Sequence, residues 1–314
     1  SKNAIRGVVC RIKDNIEYLI FISHHIFIDG WSSSIIFGSL SKALKGEQLP
    51  VERPYYMYME KSSVGNSELR TYDDYIGNMY IPGRMDGVRS VNEYTIEMGM
   101  EFTKKIGNYC KTQNITKAVF FSAVYSLFLA SYNNMHADFG FVVSGRNDLK
   151  YQNTIGLFIK TIPFSIDVTN NTVKELFDII LSRINNAEVG NLPIMAELTE
   201  RGFEECNSLL VIENYPFSAD KDSPFSLYAV SENTHYDLVM QVLEKESISL
   251  RLLTGDDTKE LRETAARFIE LLKQLVDFTP DTKSSKIIRS RNRDLNIAVP
   301  FESYYLIDKL KHSF

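Results

Sequence analysis

The chain reads as an α/β protein, a mixed α+β sandwich, because strand-length apolar runs and helix-period stripes follow one another without the strict alternation of a doubly wound sheet. Two further observations support that class. Residues 258–277 place Leu261, Ala265, Phe268, Ile269, Leu272 and Leu275 on one helical face, a stripe suited to a core. Ala118 to Ala130 is the longest apolar run, too short to span a bilayer and so a buried helix, opened by an Asn114-Ile115-Thr116 cap. At 314 residues, 44% of them hydrophobic, the chain can build a core in two lobes.

The elements follow in order. Residues 4–12 predict a strand that pairs with a buried strand over 16–23 through the Lys13-Asp14-Asn15 turn. Asp29-Gly30 then supplies a turn, since Asp bonds its own downstream backbone and Gly tolerates positive φ. A helix follows from Trp31, with Trp31, Ile35, Ile36, Leu40, Ala43 and Leu44 inward, the serines and Lys42 outward, and Gly46 closing it. Residues 46–92 form a long connection holding Pro50, Pro54, a polar loop over 62–67 and one helix from Glu68 to Met79. From Glu93 the pattern predicts a strand, helices 101–113 and 116–132, strand 138–144, a loop to Thr154 and a strand near 156–167. Helix 172–187, strands near 207–213, 226–231, 236–243 and 246–253, and helix 258–277 complete it.

Composition excludes more than it selects. The formal charge is −5 with no concentrated basic face, so neither nucleic acid nor a membrane surface is an expected partner. Cys10, Cys110 and Cys206 are odd in number and far apart, which gives no disulfide framework and points to a reducing, cytoplasmic compartment. A Gly-rich Walker loop, a GxSxG elbow and an HExxH helix are all missing from the sequence. His136 and His312 read as surface residues.

One stretch can carry chemistry: His24-His25-Ile26-Phe27-Ile28-Asp29-Gly30, entered from an apolar strand and left through Trp31 and three serines. Two half-buried structural histidines would also fit, but a strand end followed by a loop is where side chains face a cleft on a rigid support. Neighbours in extended chain point to opposite faces, so the two rings do not chelate one metal; one faces the interior and the other a cavity. An imidazole titrating near neutrality suits proton transfer to or from an attacking amine or hydroxyl. Asp29 either orients that ring or anchors the loop through an arginine elsewhere.

His24 to Ser32 resembles the HHxxxDGWS signature of condensation domains from nonribosomal peptide synthetases. Four later segments agree in order. Asp138 to Arg146 (DFGFVVSGR) resembles the family's strand ending in SGR, and Ile155 to Pro163 (IGLFIKTIP) its VGxFVNTLP segment. Ser208 to Pro216 (SLLVIENYP) is similar to FVYQNxP, and His235 to Leu238 (HYDL) to the family's FDLTL strand. The likeness runs from the first residues to about Thr279. Two departures stand out. Lys160 occupies the family's usual Asn, and residues 190–201 fit HQDxPFE poorly, with only Asn191 and Pro193 in keeping.

The resemblance implies a chloramphenicol-acetyltransferase-like fold, a V of two lobes, with amide bond formation between a carrier-bound acyl or peptidyl thioester and a carrier-bound aminoacyl acceptor. His25 would be the catalytic histidine, as general base or as a group that positions the amine or stabilises the charged intermediate, with His24 packed beside it. Asp29 and Gly30 would complete the motif, Arg146 would pair with Asp29 and Trp31 would support the site. Ser144, Gly145, Lys160, Asn214, Tyr215, Ser226 and His235 would line the substrate channel. No cofactor or metal would bind directly; phosphopantetheine would arrive on the upstream donor and downstream acceptor carrier proteins, beside an adjacent adenylation domain. The implied division is residues 1–65 as the rest of an N-terminal lobe, 66–92 as connection, 93–280 as C-terminal lobe and 281–314 as a linker to a following module. Only 23 residues precede the motif, so the first lobe is expected to be incomplete and its hairpin to expose an edge or an apolar patch. An epimerisation domain, an ester-forming acyltransferase of the same superfamily, or an inert platform that binds carriers or other partners are the alternatives.

Overall fold

The computed structural model describes residues 5–12, 16–49, 51–62, 77–81, 92–188, 194–213, 225, 234–244, 246–254 and 258–289. They fall into two compact units. The first holds the described residues up to 62, the stretch Ser144–Lys160 and Phe225; the second holds the rest. The long stretch 93–280 is therefore not one lobe, because residues 144–160 leave it for the first unit.

In the first unit, β1 (Ile5–Ile12) and β2 (Ile16–Ser23) pair antiparallel, in register from Ile5 opposite Ser23 to Ile12 opposite Ile16. The expected burial of 16–23 is not observed: Ile22 is 56% and Val9 67% exposed. Apolar residues stand on both faces of this pair, and a two-stranded ribbon cannot cover both. Helix α1 (Gly30–Leu44) follows, then the unanticipated α2 (Tyr56–Ser62). Gly30 is the first helical residue rather than a positive-φ turn, while Gly46 does carry a positive φ of 73° after the helix end. Ser32 and Ser41 are buried and Leu44 is exposed, the reverse of the expected facing.

The second unit contains, in chain order, β3 (Asn92–Glu97), α3 (Gly99–Gln113), α4 (Lys117–Ala130), β4 (His136–Val143), β5 (Lys160–Asp167, its first residue at the unit boundary), α5 (Val173–Glu188), α6 (Met195–Glu200), β6 (Ser208–Glu213), β7 (Leu238–Glu244), β8 (Ile248–Thr254), α7 (Thr258–Leu275) and α8 (Ser284–Arg289). Among the described residues, six strands form one mixed sheet in the order β3-β8-β7-β6-β4-β5. β8 runs antiparallel to both β3 and β7, whereas β7, β6 and β4 run parallel. Helix α4 is apolar all round and so has to be enclosed; every residue from Val119 to Ala130 is buried, against α5, α7, α8 and the sheet. Thr116 caps it by accepting from the Val119 N–H at 3.2 Å, as its sequence predicts.

Two expectations change here. The strand near 156–167 begins only at Lys160, and residues 281–289 are not linker. Ile287 and Ile288 of α8 are buried in the core, Arg267 donates to the Ile288 carbonyl at 2.7 Å, and Lys283 bridges to Thr172. Residues 290–314, the predicted strand 226–231 and most of the predicted helix 68–79 lie outside the described residues; Gly77 to Ile81 is not helical. Among the described residues no helix is long and apolar enough to cross a membrane, and no disulfide joins the three cysteines.

Candidate active site

At the end of β2 the chain turns: the Phe27 N–H donates to the His24 carbonyl at 3.1 Å and the Ile26 N–H to His24 Nδ1 at 3.2 Å. Both histidines are exposed, so His24 is a turn-capping residue rather than a packed one. Burial then reverses within three residues, from Phe27 at 50% exposed to Ile28 at 4% and Asp29 at 1%. His25 thus rides on a turn whose far end is fixed in the interior.

Asp29 is the fixing point. It is the N-cap of α1, accepting from the Ser32 N–H and hydroxyl, each at 2.7 Å. Arg146 Nη2 reaches both carboxylate oxygens, at 3.0 and 3.3 Å, and the Phe158 N–H donates to Oδ2 at 3.0 Å. Among the described residues Asp29 makes no bond to either histidine, so its contacts match the anchoring role and not the ring-orienting one. Ser32 ties in a third strand of chain. Its hydroxyl accepts from the Gly156 N–H at 3.0 Å and from Arg146 at 2.9 Å, and its one proton has Asp29 Oδ1 and the Gly156 carbonyl both at 2.7 Å. That demand for polar partners explains why a helical serine faces inward.

The guanidinium of Arg146 is enclosed on all sides that the described residues show. Nη1 donates to the carbonyls of Tyr151 and Thr154 at 3.0 and 2.9 Å. Its central carbon lies 3.9 Å from the Phe158 ring centroid and 6.0 Å from that of Trp31, while Nε has no hydrogen-bond partner among the described residues. Trp31 is held by its own N–H, which donates to the Gln152 carbonyl at 2.9 Å. Gly145, with φ at +62°, lets the chain pass so close that a Cβ there would meet the Phe158 carbonyl oxygen at 2.0 Å. Tyr55 and Tyr58 pack on Phe158, and burial raises both phenols above the ordinary tyrosine range, Arg146 partly opposing. Burial likewise raises the Glu52 carboxyl, against the pull of the same guanidinium.

Of the other sequence-predicted site residues, Ser144 is exposed and Lys160 half-buried, both in the first unit. His235 belongs to the second unit, exposed, with Nε2 3.2 Å from Glu205 Oε1 and its ring against Tyr236. Asn214, Tyr215 and Ser226 lie outside the described residues. His136 is not a surface residue: it is half-buried, 2.8 Å from the fully buried Asp138 and 3.3 Å from Ser165. No group of three metal-ligating side chains occurs among the described residues. Ser32, Gly156, Phe158, Tyr55 and Tyr58 were missed as site supports. A glycine after a loop followed by an aromatic was the available signal for two of them.

The mixed α/β fold is of the chloramphenicol-acetyltransferase-like class. Solved structures agree with the fold. The X-domain from teicoplanin biosynthesis superposes with a TM-score of 0.74 at 15% identity, covering 90% of this chain and 74% of that one. The condensation domain of the monacolin K polyketide synthase MokA gives 0.68 at 16% identity, with the same coverages. The chain belongs to the condensation-domain family, whose model matches residues 2–294. Relatives include tyrocidine synthase 2 of Brevibacillus parabrevis, 27% identical over 74% of this chain, and bacitracin synthase 3 of Bacillus licheniformis, 25% identical over 97%. The chain spans 7% and 5% of those two relatives' lengths.

Proposed function

We propose that this condensation domain forms an amide bond within a nonribosomal peptide synthetase. The donor is an acyl or peptidyl thioester on one carrier protein, the acceptor an aminoacyl thioester on another, and each is presented on a phosphopantetheine arm. The observation that carries the reading is an exposed His25 on a turn whose base is locked by the buried Asp29–Arg146 pair, in a chain of this family. A thioester is already activated, so the domain has to align the two substrates and stabilise the charge that develops as the amine attacks. His25 either takes the amine's proton or holds the amine and the charged tetrahedral intermediate, while Asp29, Gly30, Arg146 and Trp31 keep its turn in place. Ser144, Gly145, Lys160, Asn214, Tyr215 and His235 are proposed to border the substrate path. An adenylation domain beside the carriers completes the set of partners.

The test is amide formation between two loaded carriers, with His25→Ala against the unchanged protein. Loss of product at unchanged thermal stability is expected, because the side chain is exposed; undiminished turnover sinks the assignment. A second reading, a partner-binding platform, has one observation in its favour: a chain of this fold, the teicoplanin X-domain, has been solved in complex with OxyB. It predicts that the His25→Ala change leaves all measurable behaviour intact.

A further inference from the structure

Asp29 depends on the segment Gly156 to Phe158, and that segment has no sheet to hold it, since β5 begins only at Lys160. Its three residues nevertheless supply much of the lock. The Gly156 carbonyl accepts from the Asp29 N–H at 3.3 Å, the Gly156 N–H donates to Ser32, and the Phe158 N–H donates to the Asp29 carboxylate. Something has to place this irregular backbone to within a few tenths of an ångström.

The residues at the head of α2 do so. The Tyr55 hydroxyl donates to the Leu157 carbonyl, between the two residues that bond Asp29 and Ser32. Its ring covers Gly156 so closely that a Cβ there would lie 2.2 Å from Tyr55 Cδ2. The same ring meets Phe158 edge-on, with centroids 5.1 Å apart. Tyr58 continues the stack, 5.8 Å from Tyr55 and 4.5 Å from Phe158, with an edge contact to Tyr151 at 5.6 Å. Tyr151 in turn offers its carbonyl to Arg146 and its hydroxyl to the Met57 carbonyl. One aromatic pair therefore grips both the segment that bonds Asp29 and the loop that carries Arg146.

We infer that Tyr55 is a positioning residue for the condensation reaction: through its bond to Leu157 and its contact with Gly156 it holds the Asp29 lock in register, and so sets where the turn presents His25. This rests on His25 as the reacting-site histidine. Tyr55 touches no reacting atom. Both parts of the side chain are needed, the ring because Gly156 leaves a space shaped to it, and the hydroxyl because the Leu157 carbonyl otherwise loses a donor.

Tyr55→Ala and Tyr55→Phe separate those parts. Each is measured for amide formation with loaded carriers and for hydrogen exchange of peptides covering 28–33 and 156–158, with 119–130 in the second unit as internal reference. Tyr55→Ala is expected to raise exchange in both first-unit peptides about tenfold or more, leave the reference unchanged, and lower kcat by roughly 10²-fold at unchanged KM for the carriers. Tyr55→Phe is expected to keep the ring contact and lose roughly three- to tenfold in kcat, the worth of one hydrogen bond. Native exchange in both first-unit peptides of Tyr55→Ala overturns the inference, as does raised exchange with native kcat. If Tyr55→Ala does not fold, Tyr55→Phe decides alone: native exchange and native kcat together overturn the inference. Undiminished turnover in His25→Ala is a different failure, that of the catalytic reading, and the exchange measurements tell the two apart.

Discussion

Arg146→Ala tests the lock itself. The Arg146 and Asp29 side chains are 3% and 0% exposed, so the change leaves a carboxylate in the interior with, among the described residues, only the Ser32 and Phe158 donors. It also takes the Arg146 donor from the Thr154 carbonyl and from the Tyr151 carbonyl, which keeps the Thr154 N–H, and removes the cation from the Phe158 face. Breaking one side of a buried pair costs about 3–5 kcal/mol, far more than an exposed pair such as Arg11–Glu17 contributes. The chain provides its own probe, because Trp31 is the single tryptophan and sits in this network. With a urea m-value of roughly 1.5 kcal/mol/M for a unit this small, a loss of about 3 kcal/mol moves the Trp31 emission midpoint down by roughly 2 M. Far-UV circular dichroism follows both units and should move less, since most of the helix belongs to the second. Asp29→Ala should cost a similar amount plus its helix cap, and the double change less than the sum of the two singles, as the second removal relieves an unpaired charge. A Trp31 midpoint displaced by under about 0.5 M, or strict additivity, would refute the argument.

Gly145→Ala should unfold the first unit or weaken it by at least about 2 kcal/mol, since a positive φ is combined with a 2.0 Å approach to backbone; the Trp31 transition reports it, and a native midpoint would contradict the geometry. Asn207→Ala removes a two-point clamp on residue 79, whose N–H donates to Asn207 Oδ1 at 2.9 Å and whose carbonyl accepts from Nδ2 at 2.8 Å. Faster exchange confined to residues 77–81 and a loss of about 2 kcal/mol in the second unit are expected. Burial pushes the Cys110 thiol up to about 11, so iodoacetamide near pH 8 should label the half-exposed Cys10 first and spare Cys110 until unfolding; equal labelling in the native protein would count against the packing around α3. Glu175 is held below the usual glutamate range by the Thr172 N–H and hydroxyl at the start of α5. A lowered value means the contribution is present above the ordinary glutamate pKa and fades as pH falls through the lowered one, so acid should loosen exchange at 172–176 first; Thr172→Ala, which removes the hydroxyl and keeps the N–H, should weaken that dependence without abolishing it.

How much was legible from residues alone divides by the range of the interaction. α4 was readable because an all-apolar helix has one solution, enclosure, and α7 because its stripe repeats every turn. The β1–β2 pairing and the Thr116 cap are local as well, set within a few bonds of the residues that encode them. The motif order, from the histidine turn to SGR and IGLF, placed the family before any fold was known.

Tertiary structure decided what those residues meet. Ser32 looked like an outward serine until Gly156 and Arg146, more than 100 positions away, supplied partners for its hydroxyl. His24 looked packed until the turn used its Nδ1, and Tyr55, in a stretch read as connection, became the support of the lock. Residues 281–289 looked like linker until Ile287 and Ile288 of α8 found the core. Periodicity encodes which side of an element avoids water, because that choice is made residue by residue along the chain. It does not encode which distant carbonyl or carboxylate a buried polar group will face, because that partner exists only after a loop of a hundred residues or more has closed.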